Sequence, residues 1–402
     1  MTTNLSPLSP SAATPLELRV DRLAMAHPGD LSALESLLDS GEVEAHHIVA
    51  VIGKTEGNGG VNDFTRGFFT QTLMQLLAAR TGRPAAEWLA SLPCILSGGT
   101  EGVLSPHYVV FSRRPAPDLA PSGPGGALAL GRALGPQLGA HQLGRWAHVR
   151  AIASAVRSAM ADAHLDDPAQ VCFVQIKTPC VTVARARQAA AQGLEVLTSD
   201  PGRSMAYSRA AGAFGVALAL GELADDPALE AALLRDFSMH CDRASVSCGI
   251  EVEVDEAVVL GHSPQWRGPL RMGCAPMRDA LDIGAVGAAL APLGIAASPQ
   301  VSAADHARVA AAFVKCEPAR QGQVRGARHT MLDDTDINAQ RHIRGAVGGL
   351  VAGVLGDGRL FVSGGAEHQG PDGGGLVAVI AQVPPDSAAR TVFASNRPEV
   401  LA

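Results

Sequence analysis

One pattern of residues recurs three times along the chain and constrains its fold more than any other feature. Three apolar, β-branched runs each end in a lysine, and these are the only lysines among the 402 residues: Lys54, Lys177 and Lys315. Such runs are typical of buried strands. After each lysine come a polar or glycine-rich loop, an arginine that opens a helical stretch, and a strand ending in Ser-x-Gly-x-Glu. Repetition on this scale predicts three similar α+β units.

The copies keep the order of their elements but differ in length. The motif serines follow their lysines by 43, 70 and 48 residues, and they are Ser97, Ser247 and Ser363. The middle copy therefore carries an insertion, which we expect around residues 223–237. The arginines of the three copies are Arg66, Arg209 and Arg344, with Arg341 as an alternative to Arg344. A helical segment also precedes each lysine strand, at residues 30–41, 146–163 and 282–294.

Stretches rich in proline and glycine separate the copies. Residues 113–126 and 261–269 have this composition, which favours linkers. The sequence therefore predicts four segments, which are a disordered N-terminal tail (1–14) and repeats A (15–113), B (124–262) and C (268–402). The expected fold is a three-part, pseudo-symmetric α+β molecule.

Composition and charge exclude several classes of protein. Apolar residues make up 47% of the chain and charged residues 18%, which is typical of a globular protein. The net charge of −7 argues against nucleic-acid binding, which needs a basic surface. No apolar run approaches the roughly 20 residues that cross a membrane, and the N-terminus does not resemble a signal peptide. Seven cysteines without a CxxC pair indicate reduced thiols and a cytoplasmic location.

The lysines at three strand ends indicate acid–base chemistry. Burial can lower the pKa of lysine until the amine is neutral near pH 7, whereas arginine stays charged. A neutral amine beside a serine hydroxyl can make that serine a nucleophile, and Ser-Lys pairs are a known variant of the catalytic triad. Arginines and the backbone N–H groups of the Ser-x-Gly turns would hold carbonyl or oxyanion groups. Three such sets facing one centre would suit a small polar ligand with several carbonyls.

Each element taken alone also has a structural interpretation. A lysine at a strand end is commonly a surface residue, and Ser-Gly-Gly also suits a tight turn with positive φ. Gly53–Thr55 resembles the end of a phosphate-binding P-loop, but Ile48 stands where that motif needs an earlier glycine. The hypothesis of a catalytic site therefore depends on the recurrence of the whole pattern.

Five long stretches of the chain resemble one known family. They are GKTEGNGGVNDFTR (53–66), LSGGTEGVLSPH (96–107), SDPGRSMAYSRAAGAFGVALALGE (199–222), RHTMLDDTDIN (328–338) and SGGAEHQGPDGGG (363–375). With these motifs the chain is similar to the cyanuric acid hydrolase/barbiturase family over nearly its whole length. The resemblance implies three similar α+β repeats around a pseudo-threefold axis, with a shared central active site where the repeats meet.

The resemblance also implies a reaction, the hydrolysis of a cyclic amide. Ser247 would be the nucleophile and Lys177 its activating base, opening cyanuric acid to carboxybiuret, which loses carbon dioxide to give biuret. The residues expected to hold the substrate are Lys54, Arg66, Ser97, Gly98, Arg209, Cys248, Lys315, Arg344, Ser363 and Gly364. No organic cofactor is expected.

A structural metal ion and an oligomeric state follow from the same resemblance. The expected ligands are a carboxylate and mainly backbone carbonyls, supplied by Glu317, Ala366, Gln369, Gly370, Pro371 and Gly374. All-oxygen ligation suits Mg²⁺ or Ca²⁺. The expected partners are a small heterocyclic substrate and further copies of the same chain, in a homotetramer.

Several alternatives stay open on the sequence alone. Cys248 stands where the other two copies have glycine, and Ser245 is a rival to Ser247 as the nucleophile. Barbiturase would perform the same chemistry on a ring that has CH₂ in place of one N–H. A non-catalytic scaffold that binds a heterocycle is a third hypothesis, of another class.

Overall fold

The fold is taken from a computed structural model, which describes residues 14–123 and 125–384. The predicted disordered tail therefore lies outside the described residues, apart from residue 14. The last residues of predicted repeat C, from 385 onward, lie outside them as well.

The described chain alternates strands with helices in a mixed α/β arrangement. The strands are β1 (Leu16–Ala24), β2 (Ile48–Thr55), β3 (Cys94–Gly98), β4 (His107–Pro115), β5 (Ala127–Leu134), β6 (Val171–Thr178), β7 (Ala244–Cys248), β8 (Glu256–Ser263), β9 (Trp266–Arg267), β10 (Leu270–Met277), β11 (Val309–Cys316), β12 (Gln323–Val324), β13 (Ala327–Arg328), β14 (Phe361–Gly364) and β15 (Gly375–Gln382). The α-helices are α1 (Ser32–Asp39), α2 (Thr65–Thr81), α3 (Ala85–Leu89), α4 (Trp146–Asp162), α5 (Val183–Ala191), α6 (Pro201–Ala219), α7 (Ile283–Leu290), α8 (Ala303–His306) and α9 (Ala339–Leu355). Within the described ranges, no helix is both long and apolar enough to cross a membrane.

Three sheets share one strand order. The orders are β3-β2-β4-β1, β7-β6-β8-β5 and β14-β11-β15-β10, with β9 added to the outer edge of β1 in the first sheet. In each sheet the lysine-bearing strand runs parallel to the serine-bearing strand. The register places each lysine opposite the serine of its own copy, in the pairs Lys54–Ser97, Lys177–Ser247 and Lys315–Ser363. A parallel pair with this register brings both side chains to the same end of the sheet.

The sequence periodicity predicted these elements well. The three lysine strands are buried along almost their whole length, as expected for continuous apolar runs. Helices α1, α4 and α7 occupy the three segments predicted to precede these strands, and a short 3₁₀ turn at 291–293 follows α7. Helices α2 and α9 end at Gly82 and Gly356, which both adopt the left-handed conformation that glycine tolerates.

Aromatic side chains from different sheets meet in the largest apolar core. Phe313 on β11 lies 5.4 Å from Phe173 on β6, 6.0 Å from Phe361 on β14 and 6.5 Å from Phe111 on β4, measured between ring centroids. All four side chains are fully buried. The sheets are therefore held face to face by direct packing, which fixes their serine-bearing ends relative to one another.

The structure corrects three predictions about local elements. Arg209 and Arg344 do not open their helices. Helix α6 begins eight residues before Arg209, at Pro201, where the Asp200 side chain caps it by accepting from Arg203 N at 2.8 Å, and α9 begins five residues before Arg344, at Ala339. The predicted linker at 261–269 contains β9 and the fully buried Trp266, and β4 extends to Pro115. The middle unit has a 3₁₀ turn at 227–232, within the predicted insertion, and also contains the short helix α5.

Phe313→Ala tests the packing between the sheets. We expect it to lower the free energy of unfolding by about 3–5 kcal/mol, because it leaves a cavity where three sheets meet. Denaturant unfolding measures this change. Phe64→Ala is the control, since its side chain is 75% exposed, and a comparable loss in both variants would contradict the proposed core.

Candidate active site

A small polar cavity lies where the serine-bearing ends of the three sheets meet. Including its open mouth it encloses about 310 Å³. Its wall comprises Gly59, Arg66, Leu96, Ser97, Gly98, Lys177, Met205, Arg209, Ser247, Cys248, Arg344, Ser363 and Gly364. The structure therefore brings all three motif serines and all three arginines to one cavity.

Burial and position distinguish two pairs of candidates that the sequence left open, one pair for the nucleophile and one for the third arginine. Ser247 lines the cavity, whereas Ser245 lies two residues earlier on β7 with its side chain buried away from solvent. Arg344 is 6% exposed and lines the cavity, while the Arg341 side chain is 49% exposed. Ser247 and Arg344 are thus the better placed candidates.

Lys54 and Lys315 lie directly behind the cavity wall and contact the serines of their own units. Lys54 Nζ lies 3.2 Å from Ser97 Oγ and donates to Gly98 O at 3.0 Å. Lys315 Nζ lies 3.0 Å from Ser363 Oγ and donates to Gly364 O at 2.9 Å. Complete burial, assisted by Arg344, holds the pKa of Lys54 well below its usual value. Burial, assisted by Arg209, lowers the pKa of Lys315 to about 7.

Lys177 has a different environment from the other two lysines. Its Nζ donates to Leu96 O on β3 at 2.7 Å and lies 2.5 Å from Glu251 Oε1. Ser247, its register partner, instead contacts Ser363 through the two hydroxyl oxygens at 3.3 Å. Lys177 is 1% exposed but forms part of the cavity wall. The middle set is therefore distinct in its contacts as well as in its sequence.

The glutamates of the Ser-x-Gly-x-Glu motifs pair with the arginines of neighbouring units. Arg209 donates to both carboxylate oxygens of Glu367 at 2.7 and 2.6 Å, and Arg344 does the same to Glu101 at 2.9 and 2.5 Å. The third pair joins Arg66 Nε to Glu251 Oε1 at 2.7 Å. Each arginine belongs to one unit and its glutamate to the next, so the three pairs close a ring around the cavity.

No role was predicted for these glutamates, although the motif contains them. The recurrence of a glutamate four residues after each serine was the available signal. Asp63 was also missed. It accepts from Gly59 N at 2.8 Å and from Arg66 Nη1 at 3.2 Å, and so fixes the loop that forms one side of the cavity.

Glycine is required beside the serines because the arginines pass close to the backbone. Gly99 has a φ of +101°, and a Cβ there would lie 2.6 Å from an Arg344 nitrogen. Gly365 has a φ of +70°, and a Cβ there would lie 2.5 Å from Arg209 Nε. The Ser-Gly-Gly sequences thus serve both the positive φ of the turn and the approach of the guanidinium groups.

The predicted metal ligands lie together at the edge of the third unit. Glu317 is buried, and its backbone N–H donates to Gly374 O at 3.2 Å. Burial, assisted by the neighbouring Glu367, raises the pKa of Glu317 to about 7. The Arg320 guanidinium donates to both Glu317 oxygens at 2.5 Å and also pairs with Asp372. A buried carboxyl group next to backbone carbonyls fits a hard cation, which would compete with Arg320 for Glu317.

The lowered pKa of Lys315 predicts a pH dependence of stability. Between pH about 7 and the value near 10.4 of an unfolded lysine, the unfolded chain binds the additional proton, so stability rises with pH. We expect the free energy of unfolding of the wild type, relative to Lys315→Met, to increase by about 1.4 kcal/mol per pH unit in this window. Denaturant unfolding at several pH values measures the difference. Parallel pH profiles of the two proteins would contradict it.

Comparison with known proteins identifies the class to which this fold and site belong. The sequence profile of the amidohydrolase ring-opening protein family matches residues 19–382. The cyanuric acid amidohydrolase of Azorhizobium caulinodans is 47% identical over 365 residues, which are 90% of this chain and 98% of that protein. That of a Pseudomonas species is 40% identical over 368 residues, covering 91% of this chain and 100% of the relative.

Solved structures agree with the sequence comparison. A crystal structure of the cyanuric acid hydrolase from A. caulinodans superposes with a TM-score of 0.83 at 46% identity, covering 92% of this chain and all of that one. A second cyanuric acid hydrolase structure, described as an innovation by structural concatenation, gives a TM-score of 0.87 at 42% identity over 92% of this chain and all of the other. The protein is an amidohydrolase that acts on cyclic amides. It belongs to the ring-opening amidohydrolase family, which confirms the resemblance inferred from its motifs.

Proposed function

We propose that the protein hydrolyses cyanuric acid, opening its ring to carboxybiuret. The supporting observation is a single cavity lined by three serines, one from each sheet, and by three arginines, one from each of the helices α2, α6 and α9. A ring with three carbonyls and three N–H groups matches this arrangement in number and in kind. The relatives reported above carry the same activity in their names.

The proposed reaction begins with Ser247. Lys177 takes the Ser247 proton while the serine oxygen forms a bond to a ring carbonyl carbon, and the resulting oxyanion is held by a backbone N–H group such as that of Cys248. The carbon–nitrogen bond then breaks, Lys177 returns the proton to the departing nitrogen, and the ring is open. Water hydrolyses the acyl-enzyme to release carboxybiuret, which loses carbon dioxide to give biuret.

The remaining residues hold the ring in place. Arg66, Arg209 and Arg344 donate to the carbonyl oxygens, and their glutamate partners fix each guanidinium before substrate arrives. Ser97, Ser363, Gly98 and Gly364 supply further donors from the wall, while Lys54 and Lys315 support the two serines from behind.

Turnover and a covalent adduct test this function. We expect the purified protein to consume cyanuric acid and release biuret, and Lys177→Ala to lower kcat by about 10²–10⁴-fold, the range for removal of a general base. Mass spectrometry of the quenched reaction should locate the acyl group on Ser247. Ser245→Ala is the control and should still form that adduct.

Two other functions give different results in the same assays. A barbiturase would show a higher kcat/KM on barbituric acid than on cyanuric acid. A binding scaffold would turn over neither ring, and Lys177→Ala would then change only affinity.

We also propose that residues Glu317, Ala366, Gln369, Gly370, Pro371 and Gly374 hold a structural Mg²⁺ or Ca²⁺ ion. Such an ion would fix the loop after β14 that contains Glu367, the partner of Arg209. Millimolar Mg²⁺ or Ca²⁺ should raise the Tm of the wild type, and a chelator should reverse the increase. Arg320→Met should enlarge the response because it removes the competing cation, and Glu317→Gln should abolish it. An unchanged Tm in both the wild type and Arg320→Met would contradict the site.

The arrangement of the units and of the whole assembly belongs to the same proposal. The shared strand order supports repeats A (15–113), B (124–262) and C (268–402) around a pseudo-threefold axis through the cavity. A cytoplasmic location and a homotetramer stay predictions from the cysteine pattern and from the family resemblance.

A further inference from the structure

The three Arg–Glu pairs are not equivalent. Glu101 and Glu367 each use both carboxylate oxygens to accept from their arginine. Glu251 presents a single oxygen, Oε1, to two cations, with Arg66 Nε at 2.7 Å and Lys177 Nζ at 2.5 Å. The middle lysine is therefore in direct contact with a carboxylate.

Asp63 accounts for this difference. The Asp63 carboxylate accepts a hydrogen bond from Arg66 Nη1 at 3.2 Å, and Gly60 O accepts one from Arg66 Nη2 at 3.0 Å. One side of the Arg66 guanidinium is therefore already held by its own unit. The residues three positions before the other two arginines are Ala206 and Arg341, which cannot act in this way. Glu251 is thus free to approach Lys177.

The contacts of Lys177 Nζ leave one of its three hydrogen-bonding directions available to Ser247. Lysine nitrogen has three positions around it in addition to its carbon bond. In Lys315 all three are used, by Val246 O at 2.6 Å, Gly364 O and Ser363 Oγ. Around Lys177 the described residues provide one hydrogen bond, to Leu96 O, and one ion pair, with Glu251 Oε1. The third position is available to a proton from Ser247, the register partner of Lys177.

We propose that Glu251 is the third member of a Ser247–Lys177–Glu251 triad and acts as its positioning residue. This rests on the proposed function above. The Ser247 proton moves to Lys177 Nζ as the bond from Ser247 Oγ to the ring carbonyl forms, and it leaves on the ring nitrogen as the carbon–nitrogen bond breaks. Glu251 stays ionised throughout, orients the amine and stabilises the transient ammonium, as the carboxylate of a Ser-His-Asp triad stabilises the imidazolium.

The electrostatics of Glu251 support this role. Burial opposes its ionisation, but Lys177 and Arg66 outweigh burial and hold the pKa of Glu251 at about 2. The carboxylate therefore remains an anion at any pH at which the enzyme is assayed. Glu251 Oε1 contacts Lys177 and also Arg66, which lines the cavity. One carboxylate oxygen therefore positions both the arginine that would bind a ring carbonyl and the lysine that would move the proton.

Other ionisable groups also face Lys177. Glu256 on β8 is its antiparallel register partner, and burial raises the pKa of Glu256 to about 7. Thiols are near it as well, namely Cys94 on β3, Cys180 after β6 and Cys248 on β7. Variants at the motif glutamates keep all of these groups, so a difference between such variants reports on Glu251 itself.

The test compares Glu251→Gln with Glu101→Gln and Glu367→Gln, which remove the same charge from the other two arginines. All three should raise KM for cyanuric acid, because each loosens an arginine that binds a carbonyl. Only Glu251→Gln should also lower kcat, by 10-fold or more, and move the acidic limb of the kcat/KM profile to lower pH by one unit or more. The amine loses the anion that favours its protonated form, so the base is weaker and is already neutral at lower pH.

A conservative variant protects this comparison from a folding defect. Glu251→Asp keeps the charge and should keep the acidic limb near its wild-type position even if kcat falls. The triad would be overturned if the acidic limb of the kcat/KM profile of Glu251→Gln lay at the wild-type pH, or if Glu101→Gln moved that limb by the same amount. Glu251 would then be a partner of Arg66 only.

A second measurement separates this inference from the proposed substrate. Because the chain has only three lysines, selective ¹³Cε labelling gives three NMR signals, which Lys54→Arg and Lys315→Arg assign. Without substrate, Glu251→Gln should lower the pH at which the Lys177 signal titrates, and Glu101→Gln should leave it unchanged. If the wild type does not open cyanuric acid, the proposed function fails while this titration still tests the contact. An unmoved Lys177 signal in Glu251→Gln would overturn the inference directly.

Discussion

The parallel pairing of each lysine strand with a serine strand is the interaction on which the rest of the site depends. Its register fixes an amine and a hydroxyl at the same end of every sheet. Packing of the three sheets around Phe313 then brings those ends together. The site is thus formed by regular backbone hydrogen bonding and by core packing, and its reactive groups lie on strands whose positions the core determines.

Burial gives chemical meaning to the rarity of lysine in this chain. A lysine without exposure lacks the hydration that favours its charge, and the effect on Lys54 and Lys315 is a large downward shift of pKa. Arginine in the same positions would remain charged and would need a carboxylate partner. The arginines of the cavity have such partners in the motif glutamates, so the two cationic residue types are used for different purposes.

Much of this could be predicted from the sequence, because the relevant signals were local. Continuous β-branched runs indicated the buried strands, and the motif recurrence placed Ser97, Ser247 and Ser363 at equivalent strand ends. The contacts between units could not be predicted, since nothing local shows that Glu251 meets Arg66 and Lys177. The start of α6 at Pro201 was missed because a helix cap at Asp200 outweighed the apparent boundary at Arg209. Strand β9 was missed because two residues carry no periodicity.

The closed ring of Arg–Glu pairs has a consequence for how such a chain can change. Each pair joins two units, so removal of one unit would leave an arginine in one neighbour and a glutamate in the other without that partner, although Arg66 would keep its contact with Asp63. The units therefore cannot be exchanged or shortened independently. A substitution of the glutamate in one motif alters the position of an arginine in the neighbouring unit. The three similar segments of the chain are thus coupled by their buried ion pairs and behave electrostatically as one unit.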